Sequence, residues 1–222
     1  MACTQCEGVE QQFDPKTARR SLRRYRRRGP DKTTRLLVQD LRAALEAIDT
    51  RDALLLDIGA GVGAIHHELL DGRVGRAVHV DASSSHLEVA REETARRGHD
   101  ARTSFVYGDF VAIADTLPDA DIVTLDRVIC CYHDMTGLVN RSARKALRFY
   151  GAVYPRNTVW MGIGIAAVNA FQRLTRSAFR VFHHDPAAID AALRAAGLER
   201  RSMRHTLGWE VVVYARQLNA VT

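Results

Sequence analysis

The stretch that most constrains the fold is an apolar run that breaks into spaced glycines. Residues Leu54–Ile58 carry four large apolar side chains and one acid. Such a run is typical of a strand covered on both faces, as in a parallel sheet. Gly59, Gly61 and Gly63 follow and leave the backbone open to a ligand. Residues Ala64–Leu70 are then predicted to form a helix whose first N–H groups are free. This combination indicates a nucleotide-type binding turn, for which glycines alone are a weak signal.

Acidic residues at the ends of three predicted strands narrow the choice of ligand. Asp57 lies just before the glycines, Asp81 ends the next apolar run, and Asp109 follows the third strand within a Gly-Asp-Phe sequence. A carboxylate after the second strand is placed to bind ribose hydroxyls. An acid inside the glycine turn would repel a pyrophosphate and suits a ligand with an ammonium or sulfonium group. The alternative is a plain α/β turn that binds another nucleotide or nothing.

The rest of the chain alternates between helical and strand patterns, which predicts an α/β fold. Residues 1–12 are predicted to be loose. Further predicted helices are 15–28, 31–48, 85–97 with a capping box at Ser85 and Glu88, 138–149 and 186–196. Further predicted strands are 77–80, 103–107, 121–126, 152–154, 200–207 and 209–214. The last two strands would form a terminal hairpin.

The D-x-G-x-G-x-G arrangement at Asp57–Gly63, followed by Asp81 and Asp109, resembles the class I S-adenosylmethionine (SAM) methyltransferases. The resemblance implies a Rossmann-like, mostly parallel seven-stranded sheet with helices on both faces and an antiparallel C-terminal hairpin. It also implies that SAM is the cofactor and that Asp109 meets the adenine amino group, with Phe110 beside the ring. The implied cofactor-binding residues are Asp57, Gly59, Ala60, Gly61, Gly63, Asp81, Ala82, Gly108, Asp109, Phe110, Asp126, Arg127 and Val128.

Within this superfamily, residues Asp121–Tyr132 resemble the fourth strand of the magnesium-protoporphyrin IX methyltransferases, where a D-x-V-x-x-D-x-L-x-H-Y run occurs. Cys131 stands where their histidine would be, and His133 is displaced from that place by two positions. The resemblance implies O-methylation of a carboxylate on a porphyrin-like substrate. Another small-molecule O-, N- or S-methyltransferase family fits the same pattern.

The candidate catalytic residues depend on the acceptor. A carboxylate is already nucleophilic at pH 7 and needs only positioning, whereas a phenol or amine would benefit from a general base. His133 is the candidate base, with Tyr132 or Asp126 behind it, and Tyr25 is a further candidate on the N-terminal helix. A histidine in a loop is more often structural, and His66 and His67 are predicted to be packing or surface residues.

Residues 1–50 are interpreted as a basic helical arm or lid on a SAM-binding domain at 51–222. Residues 1–30 hold eight basic side chains against three acids, and most are arginines, which suit carboxylates and phosphates. The alternative is a solvated basic face. Residues 156–185 are interpreted as an inserted helical cap that helps to form the acceptor pocket, with ordinary core or a dimer face as the alternative.

Composition and motif spacing argue against a membrane span, a metal site and a nucleic-acid acceptor. No apolar run approaches the roughly 18 residues of a membrane span. Cys3-x-x-Cys6 has no second pair to complete a zinc site, and no metal is predicted. The basic arm has no interleaved aromatic residue beyond Tyr25, and no N/D-P-P-Y/F run follows the fourth strand, so a nucleic-acid acceptor is not expected. The expectation is a cytoplasmic monomer or homodimer that methylates a small anionic or aromatic acceptor, or a SAM-binding protein without activity.

Overall fold

The computed structural model describes residues 4–217, which are built on one seven-stranded sheet of order β3-β2-β1-β4-β5-β7-β6. Strands β1 to β5 run parallel, and β7 lies antiparallel between β5 and β6. The predicted fold class, with its C-terminal hairpin, is confirmed. The strands are β1 (Ala53–Ile58), β2 (Val74–Asp81), β3 (Thr103–Tyr107), β4 (Ala120–Asp126), β5 (Ala146–Pro155), β6 (Leu198–His205) and β7 (Trp209–Arg216).

Helices cover both faces of this sheet. Successive residues of a strand point to opposite faces, so Leu55 packs with the helices of one layer and Leu56 with those of the other. Helices α3 and α4 form the first layer, and α7 and α9 the second. The helices are α1 (Thr4–Gln12), α2 (Pro15–Arg28), α3 (Lys32–Ala47), α4 (Ala64–Leu70), α5 (Ser84–Arg97), α6 (Phe110–Ile113), α7 (Met135–Lys145), α8 (Val159–Leu174) and α9 (Pro186–Ala195).

The order of the strands reverses at β1, which lies between β2 and β4. In the register of the sheet, Asp57 of β1 stands between His79 of β2 and Thr124 of β4. Crossovers leave β1 and β4 in opposite directions, so a crevice opens beyond their carboxyl ends. This crevice is where the predicted cofactor residues converge.

The N-terminal residues depart from the sequence prediction. Residues 4–12, predicted to be loose, form α1. This helix is held by tertiary contacts that the local sequence does not reveal. Gly8 lies against the backbone at Phe179, and the ring of Phe13 contacts the rings of Phe179 and His86. The adjoining Glu10 carboxylate accepts the N–H of Ser84 at the start of α5. Ser83, and not the predicted Ser85, caps that helix by accepting the N–H of His86.

The boundary between α7 and β5 was also predicted wrongly. The helix runs from Met135 to Lys145, and the strand occupies the ten residues Ala146–Pro155 instead of three. This strand pairs with β4 on one side and β7 on the other, and that pairing outweighs the helical pattern of the sequence. Among residues 4–217, no helix has both the length and the apolar character needed to cross a membrane.

The basic arm is anchored to the rest of the fold. Asp14 caps α2 by accepting the N–H of Thr17, and the chain leaves the helix at Gly29, as the sequence predicts. Ala18, Leu22 and Tyr25 recur at helical spacing and form a buried apolar stripe on α2. Arginines on the adjoining face of α2 form ion pairs with glutamates of α5. The arm therefore packs along α5 and reaches the crevice with its C-terminal turn.

Candidate active site

One cavity of about 510 Å³ opens at the carboxyl ends of β1, β2 and β4. Its size is that of a typical small-molecule site. It is lined by nearly all the residues predicted to bind the cofactor, namely Asp57, Gly59, Ala60, Gly61, Asp81, Ala82, Gly108, Asp109, Phe110, Asp126, Arg127 and Val128. Gly63, the remaining predicted residue, lies behind the turn against the ring of His66. The structure therefore gathers the dispersed sequence motifs around one space.

The glycine turn has the left-handed backbone that glycine adopts at low cost. Gly59 has φ +62°, and a Cβ added there would lie 2.5 Å from Cγ2 of Val128. Gly61 has φ +57°, and a Cβ there would meet nothing within 4 Å. Gly59 thus allows the turn to approach the segment after β4, and Gly61 leaves an open backbone on the cavity side.

Asp57 presents one unpartnered carboxylate oxygen. Its side chain is 1% exposed, and its Oδ1 accepts the hydroxyl of Thr124 at 2.7 Å. Its Oδ2 is buried and receives no hydrogen bond from the described part of the chain, with Nδ1 of His66 at 3.7 Å. A buried carboxylate oxygen is costly to leave unpartnered. This atom is therefore suited to accept a hydrogen bond from a cationic ligand.

Asp81 is held by backbone donors. Its Oδ1 accepts the N–H of Ser83 and its Oδ2 the N–H of Gly61, both at 2.8 Å. Burial raises the pKa of this carboxyl, and the adjoining His86 opposes that shift. His86 also lines the cavity, and the sequence reasoning missed it. Its place in the first turn after the second strand was the signal that could have identified it.

Asp109 and Phe110 form the next part of the wall. The Asp109 carboxylate caps α6 through the N–H of Val111 and accepts the hydroxyl of Tyr132 at 2.9 Å. Phe110 is buried beneath it. Tyr132, a predicted catalytic residue, therefore fixes the orientation of a predicted cofactor residue.

Asp126 and Arg127 connect β4 to the arm. The Asp126 carboxylate accepts hydrogen bonds from the hydroxyl of Thr34 at 2.5 Å and from Nε of Arg127 at 2.9 Å. Nη1 of Arg127 lies 3.0 Å from the carboxylate of Asp31, which also pairs with Arg24 of α2. Asp31 lies just before α3, and its two ion pairs connect α2 and the start of α3 to the segment after β4 at the cavity rim.

The remaining wall is largely aromatic and apolar. The hydroxyl of Tyr25 donates to Glu68 at 3.1 Å, and burial raises the pKa of this phenol, so it stays protonated at neutral pH. The thiols of Cys130 and Cys131 both donate to the carbonyl of Arg127 at 3.4 Å. Other side chains on this wall are Phe13, Arg24, Val181 and Trp209. An apolar acceptor with one anionic group would fit this chemistry.

Several predicted residues lie elsewhere. His133 is exposed and stacks on Tyr132, with ring centroids 5.2 Å apart, and it does not line the cavity. His66 and His67 are fully buried, in agreement with the packing interpretation. Helix α8 occupies the predicted cap, but from that segment only the residue Val181 lines the cavity. Within residues 4–217 no group of three or more acids, histidines or cysteines could hold a metal ion, and Cys3 lies outside the described residues.

Comparison with known proteins agrees with this geometry. Residues 55–152 match the family model described as a methyltransferase domain. No curated protein matches the chain significantly. Among solved structures, the magnesium protoporphyrin IX methyltransferase (ChlM) from Synechocystis PCC 6803 with bound SAH is similar, with a TM-score of 0.72 and 18% identity over 96% of this chain and 100% of that one.

Two other structures show how widely this fold is used. An O-methyltransferase family protein from Burkholderia thailandensis has a TM-score of 0.68 and 14% identity over 94% of this chain and 62% of that one. The [4+2]-cyclase SpnF has a TM-score of 0.61 and 14% identity over 84% and 82%. At such identities the likeness to these structures establishes the fold alone. The described chain therefore has the fold of these structures, and its residues 55–152 match a methyltransferase domain.

Proposed function

We propose that the protein transfers the methyl group of SAM to a small anionic or aromatic acceptor, with a carboxylate of a porphyrin-like molecule as the leading candidate. The single observation that carries this proposal is the composition of the cavity. The acids and open turn of the cofactor site line the same cavity as Arg24 and the rings of Phe13, Tyr25 and Trp209. A donor and an acceptor could therefore meet in one space.

The residues present fit the cofactor. The unpartnered Oδ2 of Asp57 suits the ammonium group of SAM, since a buried charge needs an opposite charge. Asp81 is held so that its carboxylate can also accept ribose hydroxyls, and Asp109 with Phe110 suits the adenine ring. Gly61 admits the methionine part to the backbone of the turn. Asp126, Arg127 and Val128 complete the wall after β4.

The cofactor supplies an electrophilic methyl group on a sulfonium, and the protein's task is alignment. In-line displacement is promoted when acceptor and methyl are held in line and water is excluded. We assign the positioning of an acceptor carboxylate to the guanidinium of Arg24, because arginine binds carboxylates in a planar fork. Among the described residues only its Nη2 has a partner, the carboxylate of Asp31. The buried ring of Tyr25 and the apolar residues of the cavity wall would shield the reacting atoms from solvent.

A carboxylate acceptor also agrees with the position of the candidate bases. His133 is exposed and Tyr132 is engaged with Asp109, whereas Asp126 is already paired with Arg127 and Thr34. An acceptor that attacks without losing a proton needs none of them. A phenol, amine or thiol acceptor would require one of these groups to move, and it remains the second candidate.

A SAM-binding protein without methyl transfer is the alternative from another class. Its basis is the shared fold of the cyclase SpnF. The cytoplasmic location and the monomeric or dimeric state stay predictions from the sequence.

The proposal is tested with labelled SAM against porphyrin carboxylates, phenols, amines and thiols. We expect methyl ester formation, and Arg24→Ala should raise KM for the acceptor by about tenfold, because a charge-assisted hydrogen bond contributes roughly 1.5–3 kcal/mol. SAM affinity should stay unchanged. Arg23→Ala, an exposed neighbour outside the cavity wall, is the matched control. SAM binding without turnover on every acceptor would favour the alternative.

A further inference from the structure

Helix α8 has its polar side chains facing the protein. The amide of Asn169 donates to the carbonyl of Val181 at 2.7 Å and accepts the N–H of the same residue at 2.9 Å. The amide of Gln172 donates to Gln12 at 2.9 Å and is the buried side chain of the helix. A helix on the surface of a globular protein normally packs its apolar side against the core. Here the inward side is polar.

The outward side of α8 is apolar. Val159, Ile163, Phe171 and Leu174 are 83%, 65%, 64% and 83% exposed. Their spacings of four, eight and three residues bring them to one side of the helix. Most of the large exposed apolar side chains of the described residues lie in α8 and the β6–β7 hairpin, so they are concentrated in one region of the surface. Contiguous exposed apolar surface of this kind marks an interaction site.

The hairpin extends this surface. The carbonyl of Gly208 accepts the N–H of Arg156, and a Cβ added to Gly208 would lie 2.4 Å from Cε of Met161. The turn of the hairpin therefore lies against the start of α8, and its Leu207 is 83% exposed. We call Val159, Trp160, Ile163, Phe171, Leu174 and Leu207 the α8 patch.

The segment that carries α8 has charge of one sign. Residues 156–184 contain no acidic residue and four arginines. Arg173 and Arg176 are exposed at the C-terminal end of α8. A second copy of the chain that packed this end of α8 against its own equivalent would bring like charges together. An anionic surface would pair with these arginines instead.

We propose that the α8 patch docks the protein on the surface of an anionic lipid bilayer. Val159, Ile163, Phe171 and Leu174 would enter the boundary between headgroups and acyl chains, while Arg173 and Arg176 contact lipid phosphates. Apolar side chains flanked by arginines are the pattern of helices that lie in a membrane interface. With 16 residues, α8 is shorter than the roughly 20 that a span requires, so it lies on the bilayer.

The test is sedimentation of the full chain with vesicles of phosphatidylcholine alone and with one third phosphatidylglycerol. We expect binding to the mixed vesicles that is at least tenfold tighter than to the neutral ones and that weakens in 0.5 M salt. Ile163→Asp with Phe171→Asp should reduce this binding at least tenfold. Ile48→Asp, a substitution of another exposed apolar side chain outside the patch, should leave it unchanged.

Three outcomes would overturn the proposal: no binding to either vesicle, equal binding to both, or equal binding by the Ile163/Phe171 variant. A dimer in solution that this variant dissociates would assign the patch to self-association instead. Thermal unfolding of each variant verifies that it is folded. Vesicle binding is measured without SAM or an acceptor, so a negative result here leaves the proposed methyl transfer untouched.

Discussion

At the scale of single residues, the most unusual feature is a line of buried histidines beside Asp57. The rings of His66 and His67 lie 4.2 Å apart, and Nδ1 of His67 is 3.2 Å from Nδ1 of His99. His79 packs against His66 on the other side. Burial lowers the pKa of His67, to about 2, and also lowers the pKa of His79 and His99. The rings of His67, His79 and His99 are therefore neutral in the folded protein at pH 7.

This cluster predicts that the protein loses stability in mild acid. The unfolded chain binds a proton at His67 below about pH 6.5, whereas the folded chain does not, so protonation favours unfolding as the pH falls. At pH 5 the loss through this one residue is about 2 kcal/mol relative to neutral pH. Urea unfolding of the wild type and His67→Gln at pH 7.5 and 5.0 measures it, and the variant should lose about 2 kcal/mol less.

The control for this measurement is an exposed histidine. His133→Gln should retain the full pH dependence of the wild type, because that ring lies at the surface. If His67→Gln and the wild type lose the same free energy of unfolding between the two pH values, the buried cluster is not the source.

At the scale of elements, the packing of α2 on α5 depends on one buried acid. The side chain of Glu93 is fully buried and accepts hydrogen bonds from Arg26 of α2 at 2.7 Å and from Arg97 at 3.0 Å. Burial alone would raise the pKa of this carboxyl, but hydrogen bonds from Arg96, Arg26 and Arg97 outweigh it and lower the pKa to about 2. The basic arm is thus joined to the fold through charge as well as through its apolar stripe.

Removal of this acid should loosen the arm. Glu93→Gln weakens the hydrogen bonds that the partly exposed guanidinium groups of Arg26, Arg96 and Arg97 make to a buried carboxylate. We expect a loss of about 2 kcal/mol in the free energy of unfolding, since hydrogen bonds to charged groups contribute roughly 1.5–3 kcal/mol. Glu88→Gln removes the partner of Arg19 at the exposed edge of the same interface and should cost less than about 1 kcal/mol. Hydrogen exchange across residues 15–28 should accelerate in the first variant alone. Equal effects of the two substitutions would contradict this account.

At the scale of the whole molecule, local sequence patterns predicted the elements that make the cofactor site. Apolar runs ending in Asp57, Asp81 and Asp126, separated by helical patterns, determine a parallel sheet and place these acids at one edge of it. Gly29, Gly98 and Gly197 end helices as predicted, since each adopts a positive φ there. Local chemistry was sufficient for these features.

The features that the sequence did not reveal depend on contacts between distant parts of the chain. Helix α1 exists through its packing on Phe179, and the start of β5 through pairing with two strands. His86 lines the cavity from the first turn of α5, where its ring also contacts the distant Phe13. Helix α8 was expected over the acceptor pocket, but its apolar residues lie on the surface, since its polar residues bind the loop that follows. Periodicity alone does not tell which side of an apolar helix faces inward.

Calorimetric titration with SAM measures whether the cavity at β1 binds this cofactor through the unpartnered oxygen of Asp57. We predict one site in the wild type and an affinity about 10- to 100-fold weaker in Asp57→Asn, because a hydrogen bond to a charged group contributes roughly 1.5–3 kcal/mol. Asp115→Asn, at a 91% exposed side chain remote from the cavity, should bind as the wild type does. Absence of SAM binding by the wild type, or equal affinity in Asp57→Asn, would contradict the account.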